Sequence, residues 1–373
     1  MSLRVVTLYS LIEKYYLIDL YLARKLQKSF GIRGLGLTKR RSPPTIRPMR
    51  VLSGIQPSGR LHVGNYFGAI RQYIQLQDGG NECFYFIANY HALTSLSDRD
   101  RLKEICLDLA TGYLAFGLDA ENTIFFLQSD VPEVTELAWL LNCQCPMSLM
   151  EKCTSYKDKL AKGLQASVGL FSYPVLQAAD IVIYDAECVP VGQDQKQHIE
   201  VTRDLAGKFN NTFGEDVLVL PEPYIVPEVA VVPGIDGQKM SKSYDNTIEL
   251  FITDKQTEKR CGKIVTDSAG LDDPKDPDTC NVYSLLTLFA EQAELDEIAA
   301  SYRAGGYGYG HAKKRLAGLI NEHFGEARER YMKFEKDPDY VWDVLAAGGR
   351  RARQVAQITM ERVRDACGIL RHE

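Results

Sequence analysis

The sequence has no Cys-x-x-Cys pair, no Walker-type phosphate loop, no complete dinucleotide fingerprint and no uninterrupted apolar run of membrane length. Each absence removes a class of function. Nine cysteines, an odd number scattered from Cys83 to Cys367, lack the spacing of a disulfide framework. They fit reduced thiols in an intracellular protein. Cys143, Cys145 and Cys153 come nearest to a metal cluster, but structural zinc ligands usually come in pairs two to four residues apart. No metal site is expected there, and the thiols read as small buried hydrophobes. Lys208 follows Gly207 but precedes Phe209, where magnesium in a phosphate loop needs Ser or Thr, so Walker-type ATP binding is excluded. Gly305-Gly306-Tyr307-Gly308-Tyr309-Gly310 lacks the final glycine of the dinucleotide motif and follows a helical pattern, and so reads as a helix terminus and loop. Val5 to Ala23 is cut by Glu13, Lys14 and Asp19, leaving neither a signal-peptide core nor a membrane span. Positive charge is not in excess either: 44 Lys and Arg face 49 Asp and Glu. A nucleic-acid partner would have to be met by a local patch.

What remains is an ordinary globular composition over 373 residues, with 45% hydrophobic, 25% charged and 10% aromatic residues. That length suggests two or three domains. The first fifty residues differ from the rest, with eleven Lys or Arg against only Glu13 and Asp19. Residues 1–49 are therefore set apart as a basic extension. An organelle transit segment, an extension helix and an upstream start codon all fit it. The expected location is cytoplasmic, or an organelle matrix if the extension is a transit segment.

Beyond the prolines at 43, 44 and 48 the chain alternates. Arg50 to Ile55, Cys83 to Ala88 and Thr123 to Leu127 read as strands, and Val63 to Gln77 and Arg99 to Phe116 as helices. Further on, Asp180 to Tyr184 and Val217 to Leu220 are strand-like, while Glu133 to Asn142 and Asp194 to Asn210 have helical periodicity. From about Asn281 the pattern is helix only. The expectation is an α/β fold: a doubly wound, Rossmann-like parallel sheet with ligands at the carboxyl ends of its strands, followed by an α-helical region.

Two segments carry chemistry. In Gly54-Ile55-Gln56-Pro57-Ser58-Gly59-Arg60-Leu61-His62-Val63-Gly64-Asn65 a strand ends in a tight turn and a helix opens near Val63. His62 and Asn65, three apart, can face the same side, and Gly64 leaves room beside the backbone. Helix-start amides suit a phosphate chain, which makes the segment a candidate triphosphate cradle. Alone, it would equally be a plain strand-turn-helix corner with a surface histidine. The second segment, Lys239-Met240-Ser241-Lys242-Ser243, follows Gly234, Asp236 and Gly237. Its two lysines, three apart, can close over polyphosphate and stabilise charge developing on leaving pyrophosphate. Alone, it could be any solvated basic loop. The conjunction of both is far more specific than either part.

Together they make the sequence resemble the class I aminoacyl-tRNA synthetases, whose signatures are usually written H-I-G-H and K-M-S-K-S. Here the first stands as His62-Val63-Gly64-Asn65, with Asn65 in place of the second histidine, and the second is complete. The text around them, Ser53 to Gly59, Gly64-Asn65-Tyr66 and Val189 to His198, is similar to the tryptophan-specific branch of that class. The likeness runs from about Arg50 to the C-terminus. It implies that ATP, accompanied by magnesium with no protein ligand, lies against Gln56, Ser58, Gly59, His62, Gly64 and Asn65. Gly192, Gln193, Asp194 and Met240, Ser241 and Ser243 would complete that ATP site. Lys239, Lys242 and Lys159, with Lys157 as a close second, would act on the phosphates. Tryptophan would lie among Gln56, His91, Tyr173, Gln177, Asp180, Val189, Val191 and Gln195. Its indole N–H would be accepted by Asp180, since that donor is what separates the side chain from phenylalanine besides bulk. Val189 and Val191 fit ordinary strand packing as well, and His91 fits a satisfied core histidine.

The resemblance further implies a catalytic domain over 50–245, a helical anticodon-binding domain over 246–343 and a last helix, 344–373, returning to the sheet. The expected partners are L-tryptophan, ATP, tRNA(Trp) and a second copy of the chain, with no membrane. A carboxylate is already a nucleophile at neutral pH, so the lack of a Ser-His-Asp or Cys-His set is expected. Three other readings are weighed: the tyrosine-specific relative, a small-molecule nucleotidyltransferase, and a synthetase-like protein without catalysis. The text around Gln56 and Gln195 favours tryptophan over the first, and about a hundred helical residues disfavour the second. The lysines of the second signature disfavour the third.

Overall fold

The computed structural model describes residues 48–153, 167–192, 196–225 and 231–369. The basic extension up to residue 47, Lys157, Lys159 and Gln193 to Gln195 lie outside the described residues.

Period-two alternation builds the sheet. In β1 (Arg50–Ile55) Val51 and Leu52 are both buried, in separate apolar cores on the two faces, as expected of parallel strands covered on both sides. A turn leads into α1 (Val63–Asn65), which continues through a π-helical stretch, Tyr66–Ile70, into α2 (Arg71–Asp78). Then come β2 (Glu82–Ile87), α3 (Asn89–Ala92), α4 (Arg99–Ala115) and β3 (Ile124–Leu127). A 3-10 turn at Gln128–Asp130 precedes α5 (Glu133–Gln144) and α6 (Met147–Met150). The sheet-bearing part ends with α7 (Val168–Val182), β4 (Cys188–Val191), α8 (Lys196–Phe213) and β5 (Glu222–Ile225). All pairings are parallel, in the order β3-β2-β1-β4-β5. This is the doubly wound sheet that the alternation implies, and its winding reverses between β1 and β4, where such sheets bind ligands.

Helices alone follow: α9 (Asp254–Gly262), α10 (Asn281–Leu286), α11 (Gln292–Ala304), α12 (Tyr309–Glu335) and α13 (Pro338–Ala366). Leu316, Ile320 and Phe324 of α12 share one core with Val51, Tyr85 and Phe125 of the sheet. The last helix packs directly on β3. A Cβ at Gly348 would come within 1.9 Å of the Phe125 carbonyl oxygen, so only glycine permits that approach.

Two strand expectations are corrected. Asp180 to Tyr184 is the end of α7 and the turn after it, not a strand. Ile181, Val182 and Ile183 are all buried, and an apolar run covered on every side loses the periodicity that separates helix from strand. Val217 to Leu220 is a loop, and the fifth strand begins at Glu222. The Asn210 side chain binds both the N–H and the C=O of Leu218, at 2.9 and 2.8 Å, and so takes the groups a ladder would need. The fifth strand contains Pro223, which its edge position tolerates.

Candidate active site

Most described site residues lie beyond the carboxyl end of a strand or on α7; Val189 and Val191 lie within β4, and Lys239 to Ser243 lie between β5 and α9. β1 delivers the turn from Gln56 to Gly59 and the corner from His62 to Asn65, β2 delivers His91, β3 delivers Gln128 and β4 delivers Gly192. The two signature segments, more than 170 residues apart in the chain, meet at the first corner. Lys242 Nζ donates to the Gly59 carbonyl at 2.8 Å and to Ser58 Oγ at 3.3 Å. The Gly64 N–H faces the Met240 sulfur at 3.3 Å. A Cβ at Gly64 would sit 3.1 Å from the His62 ring and 3.4 Å from Met240 Cβ, so the small residue is what lets the segments close on each other.

The corner's amides are arranged differently from a simple cradle. Val63 N–H donates to the Ile248 carbonyl at 2.9 Å, Leu250 N–H to the Leu61 carbonyl at 3.0 Å, and Asn65 N–H to the His62 carbonyl at 2.8 Å. The chain after the second signature thus takes the amide expected to be free, while the Met240 sulfur takes the next. Lys242, Ser58 and Gln56 are left as the polar groups beside the turn. Asn65 Oδ1 accepts the His62 N–H at 3.1 Å, half of a reciprocal cap at the helix start. His62 is buried, and its Nδ1 has no hydrogen-bond partner among the described residues. Burial first, and the Lys242 charge second, lower its pKa to about 4, so the ring is neutral at physiological pH. Burial also lowers the Lys242 pKa, opposed by the charges of Asp108 and Glu249.

The second signature is held in shape by Asn246, which motif reading passes over. This buried amide donates to Asp236 Oδ1 at 2.8 Å and to the Lys239 carbonyl at 3.0 Å, and it accepts the Ser241 N–H at 2.7 Å. Ser241 Oγ in turn accepts the Ser243 N–H at 3.3 Å. Lys239 is exposed. Its side chain is not drawn onto the turn as that of Lys242 is.

The other half of the site is buried. Tyr173, Gln177 and Asp180 stand at i, i+4 and i+7 on α7 and so share one face. Asp180 is 1% exposed. Both its carboxylate oxygens accept from Gln128 Nε2 at 2.9 Å, and His91 Nε2 lies 2.8 Å from Oδ2. Burial raises the Asp180 pKa, and the hydrogen bond and charge of His91, then the hydrogen bond of Gln128, pull it back. Tyr173 OH lies 2.5 Å from His198 Nε2 on α8, and its ring meets that of His91 edge to face at 6.2 Å. Val189 and Val191 pack with Leu52, Phe84 and Phe86 in the core that also takes Val175 and Ala179 of α7. Gln177 is half-buried, and Gln56 and Gly192 are exposed at the strand ends. Lys159, Gln193, Asp194 and Gln195 lie outside the described residues. Gln128 carries no motif, and its part emerges only from the fold; His198 ends the stretch that carries the resemblance, and the fold adds its contact with Tyr173.

Known proteins are similar to this chain over most of its length. Residues 45–325 match the family described as tRNA synthetases class I (W and Y). A tryptophan–tRNA ligase of Rhodopirellula baltica is 54% identical over 321 residues, covering 86% of this chain and 100% of the relative. One from Fusobacterium nucleatum is 51% identical, with 86% and 98% covered. The crystal structure of a tryptophanyl-tRNA synthetase from Campylobacter jejuni, complexed with ADP and tryptophan, superposes with a TM-score of 0.81 at 50% identity. That match covers 86% of this chain and 100% of the other. By its sheet, its two converging signatures and these relatives, the chain belongs to the class I aminoacyl-tRNA synthetases, in the tryptophan–tRNA ligase family.

Proposed function

We propose that this chain activates L-tryptophan with ATP, forming tryptophanyl-adenylate and pyrophosphate, and then transfers tryptophan to tRNA(Trp). The observation that carries this reading is the meeting of Lys242 with the Gly59 turn, beside the buried carboxylate layer built on Asp180. ATP lies over the switch point against Gln56, Ser58, Gly59, His62, Gly64 and Asn65 on one side. Gly192, Gln193 and Asp194 flank it on the other. Lys239, Met240, Ser241, Lys242 and Ser243 cover the phosphates, with Lys159 as a further cation. Magnesium accompanying ATP would offset the phosphate charge, and no protein ligand is assigned to it. The tryptophan carboxylate attacks the α-phosphorus in line, an O–P bond forms, and the bond to pyrophosphate breaks with the electron pair leaving on pyrophosphate. No general base is needed, so positioning and charge stabilisation supply the acceleration. Lys242, already directed at the turn, stabilises the leaving group.

Asp180 accepts the indole N–H. Tyr173, Gln177 and Gln195 hold the ammonium and carboxylate of the amino acid, Gln56 borders the same pocket, and Val189, Val191 and His91 border the ring. The helical part, 246–343, reads the anticodon, and 344–373 ties it to the catalytic part, 50–245. A second copy covers α5 to α7, where Trp139, Met147 and Val168 are 68, 65 and 81% exposed, in a cytoplasmic homodimer. No helix among the described residues is long and apolar enough to cross a membrane.

Amino-acid-dependent ATP–pyrophosphate exchange with tryptophan, tyrosine and phenylalanine tests the assignment. Exchange with tryptophan alone supports it. Exchange with tyrosine keeps the phosphate chemistry and overturns the role of Asp180, and exchange with none defeats the catalytic reading. Sedimentation equilibrium tests the dimer.

A further inference from the structure

A carboxylate has about four acceptor positions, and in Asp180 three are occupied: one on each oxygen by Gln128 and a second on Oδ2 by His91. The position left over is on Oδ1. Gln128 is itself 1% exposed, and its carbonyl oxygen accepts the backbone N–H groups of Tyr90 and His91 at 3.0 and 3.4 Å. One side chain therefore ties together the end of β3, the start of α3 and the acid on α7. Beside it Asn89 and Ser129 exchange two further hydrogen bonds, at 2.8 and 3.1 Å, that lock the same two segments.

We infer that Gln128 is a specificity-positioning residue: it fixes the plane of the Asp180 carboxylate and fills its competing acceptor positions, so that Oδ1 is presented to an indole-type N–H donor. The inference rests on the reading that Asp180 accepts the indole proton. Gln128 acts through Asp180 and need not touch the substrate. Without it, a buried anion loses the N–H that bridges its two oxygens and must gain a proton or water, and in neither state does it offer a single directed acceptor. A glutamine used only to fill space would matter through its volume alone.

The test compares L-tryptophan with its benzothiophene analogue, in which sulfur replaces the indole N–H, in pyrophosphate exchange by the full chain. Gln128→Met keeps length and removes both polar functions. It should raise KM for tryptophan about ten- to a hundredfold, with kcat and the KM for ATP little changed and the KM for the analogue nearly unmoved. Gln128→Glu places a second carboxyl against Asp180, and such a pair must share a proton. Its tryptophan KM should fall towards the wild-type value as pH is lowered and climb as pH is raised, with wild type measured in parallel. That parallel profile subtracts the ionisable groups around the acid, namely His91 and Tyr184, with Asp130 and Glu133 beyond Tyr184. Should Gln128→Met fail to fold, the pH profile of Gln128→Glu decides alone. Equal KM changes for both substrates, or a Gln128→Glu profile parallel to wild type, overturn the inference. Asp180→Leu, which removes both acceptor oxygens where Asn would keep one, separates the two levels. If it retains discrimination against the analogue, the reading of Asp180 falls and the inference with it. If it loses discrimination while both Gln128 variants keep theirs, only the role of Gln128 falls.

Discussion

The two halves of the site are built on opposite principles. The phosphate half is made of short contiguous stretches, half-exposed, whose contacts are mostly with backbone: Lys242 on the Gly59 carbonyl, Val63 on Ile248, Leu250 on Leu61. The amino-acid half is made of single side chains from four segments bonded to one another: buried Asp180, Gln128 and His198, with half-buried His91 and Tyr173. Backbone contacts tolerate movement of the loop that carries the lysine, which suits a group that acts as charge develops. A buried polar network tolerates none, because each lost partner leaves another group unsatisfied, which suits a filter. Rate should therefore depend on the first half and selectivity on the second.

Lys242→Ala should break the first half most severely. Loss of one preorganised charge-stabilising group costs about 10²- to 10³-fold in kcat, and the exchange rate should fall by that much with KM for tryptophan little altered. Asp180→Asn should do the reverse, raising KM for tryptophan roughly 10- to 150-fold while kcat at saturation falls less. Steady-state exchange kinetics on both variants check the pair. A Lys242 variant that acts mainly on tryptophan KM, or an Asp180 variant that acts only on kcat, would erase the distinction.

The same contrast governs what can be read without coordinates. Both signatures are legible because each is contiguous, and the alternation that runs between them implies the sheet whose switch point receives them. Asp180 is marked by resemblance, yet its local pattern points to a strand, because Ile181 to Ile183 are buried on every side of a helix end. Gln128 is invisible in sequence. It lies in a three-residue turn, 52 positions from Asp180, and no spacing rule links them. Asn246 is hidden for the same reason, since its value lies in bracing Lys239 and Ser241 from beyond the motif. Long-range side-chain pairing is set by topology, and periodicity carries no trace of it.

The phosphate half should also respond to acid. His62 has a pKa of about 4 in the folded chain against about 6.5 when unfolded. A histidine with a depressed folded pKa contributes fully above the unfolded value and loses that contribution as pH falls from 6.5 towards 4, because the unfolded chain binds the extra proton. By that linkage roughly 2 kcal/mol of stability should be gone at pH 5 relative to pH 7.5. Urea midpoints across that range check it, and His62→Gln should flatten the slope. An unchanged slope in the variant would place the acid sensitivity elsewhere, with His323, whose pKa burial also lowers, as the next group to test.

The smallest expected effect separates structure from chemistry at Asn65. Its side chain accepts the His62 N–H at 3.1 Å, so Asn65→Ala should cost about 1 kcal/mol in urea unfolding, the usual net value of one such bond. Asn65→Asp keeps an acceptor in the same place and sets a negative charge at a helix start, where it is tolerated or mildly stabilising. Stability should therefore be retained. The added charge, however, faces the corner against which Lys242 is drawn, and an anion there opposes the approach of a triphosphate. KM for ATP should rise several-fold in Asn65→Asp while KM for tryptophan, set in the buried half, stays put. If KM for ATP does not move, Asn65 is a brace for the His62 corner alone, and the phosphate half is narrower than the two signatures suggest. It would then be confined to the Gln56 to Gly59 turn and Lys242, which reaches it.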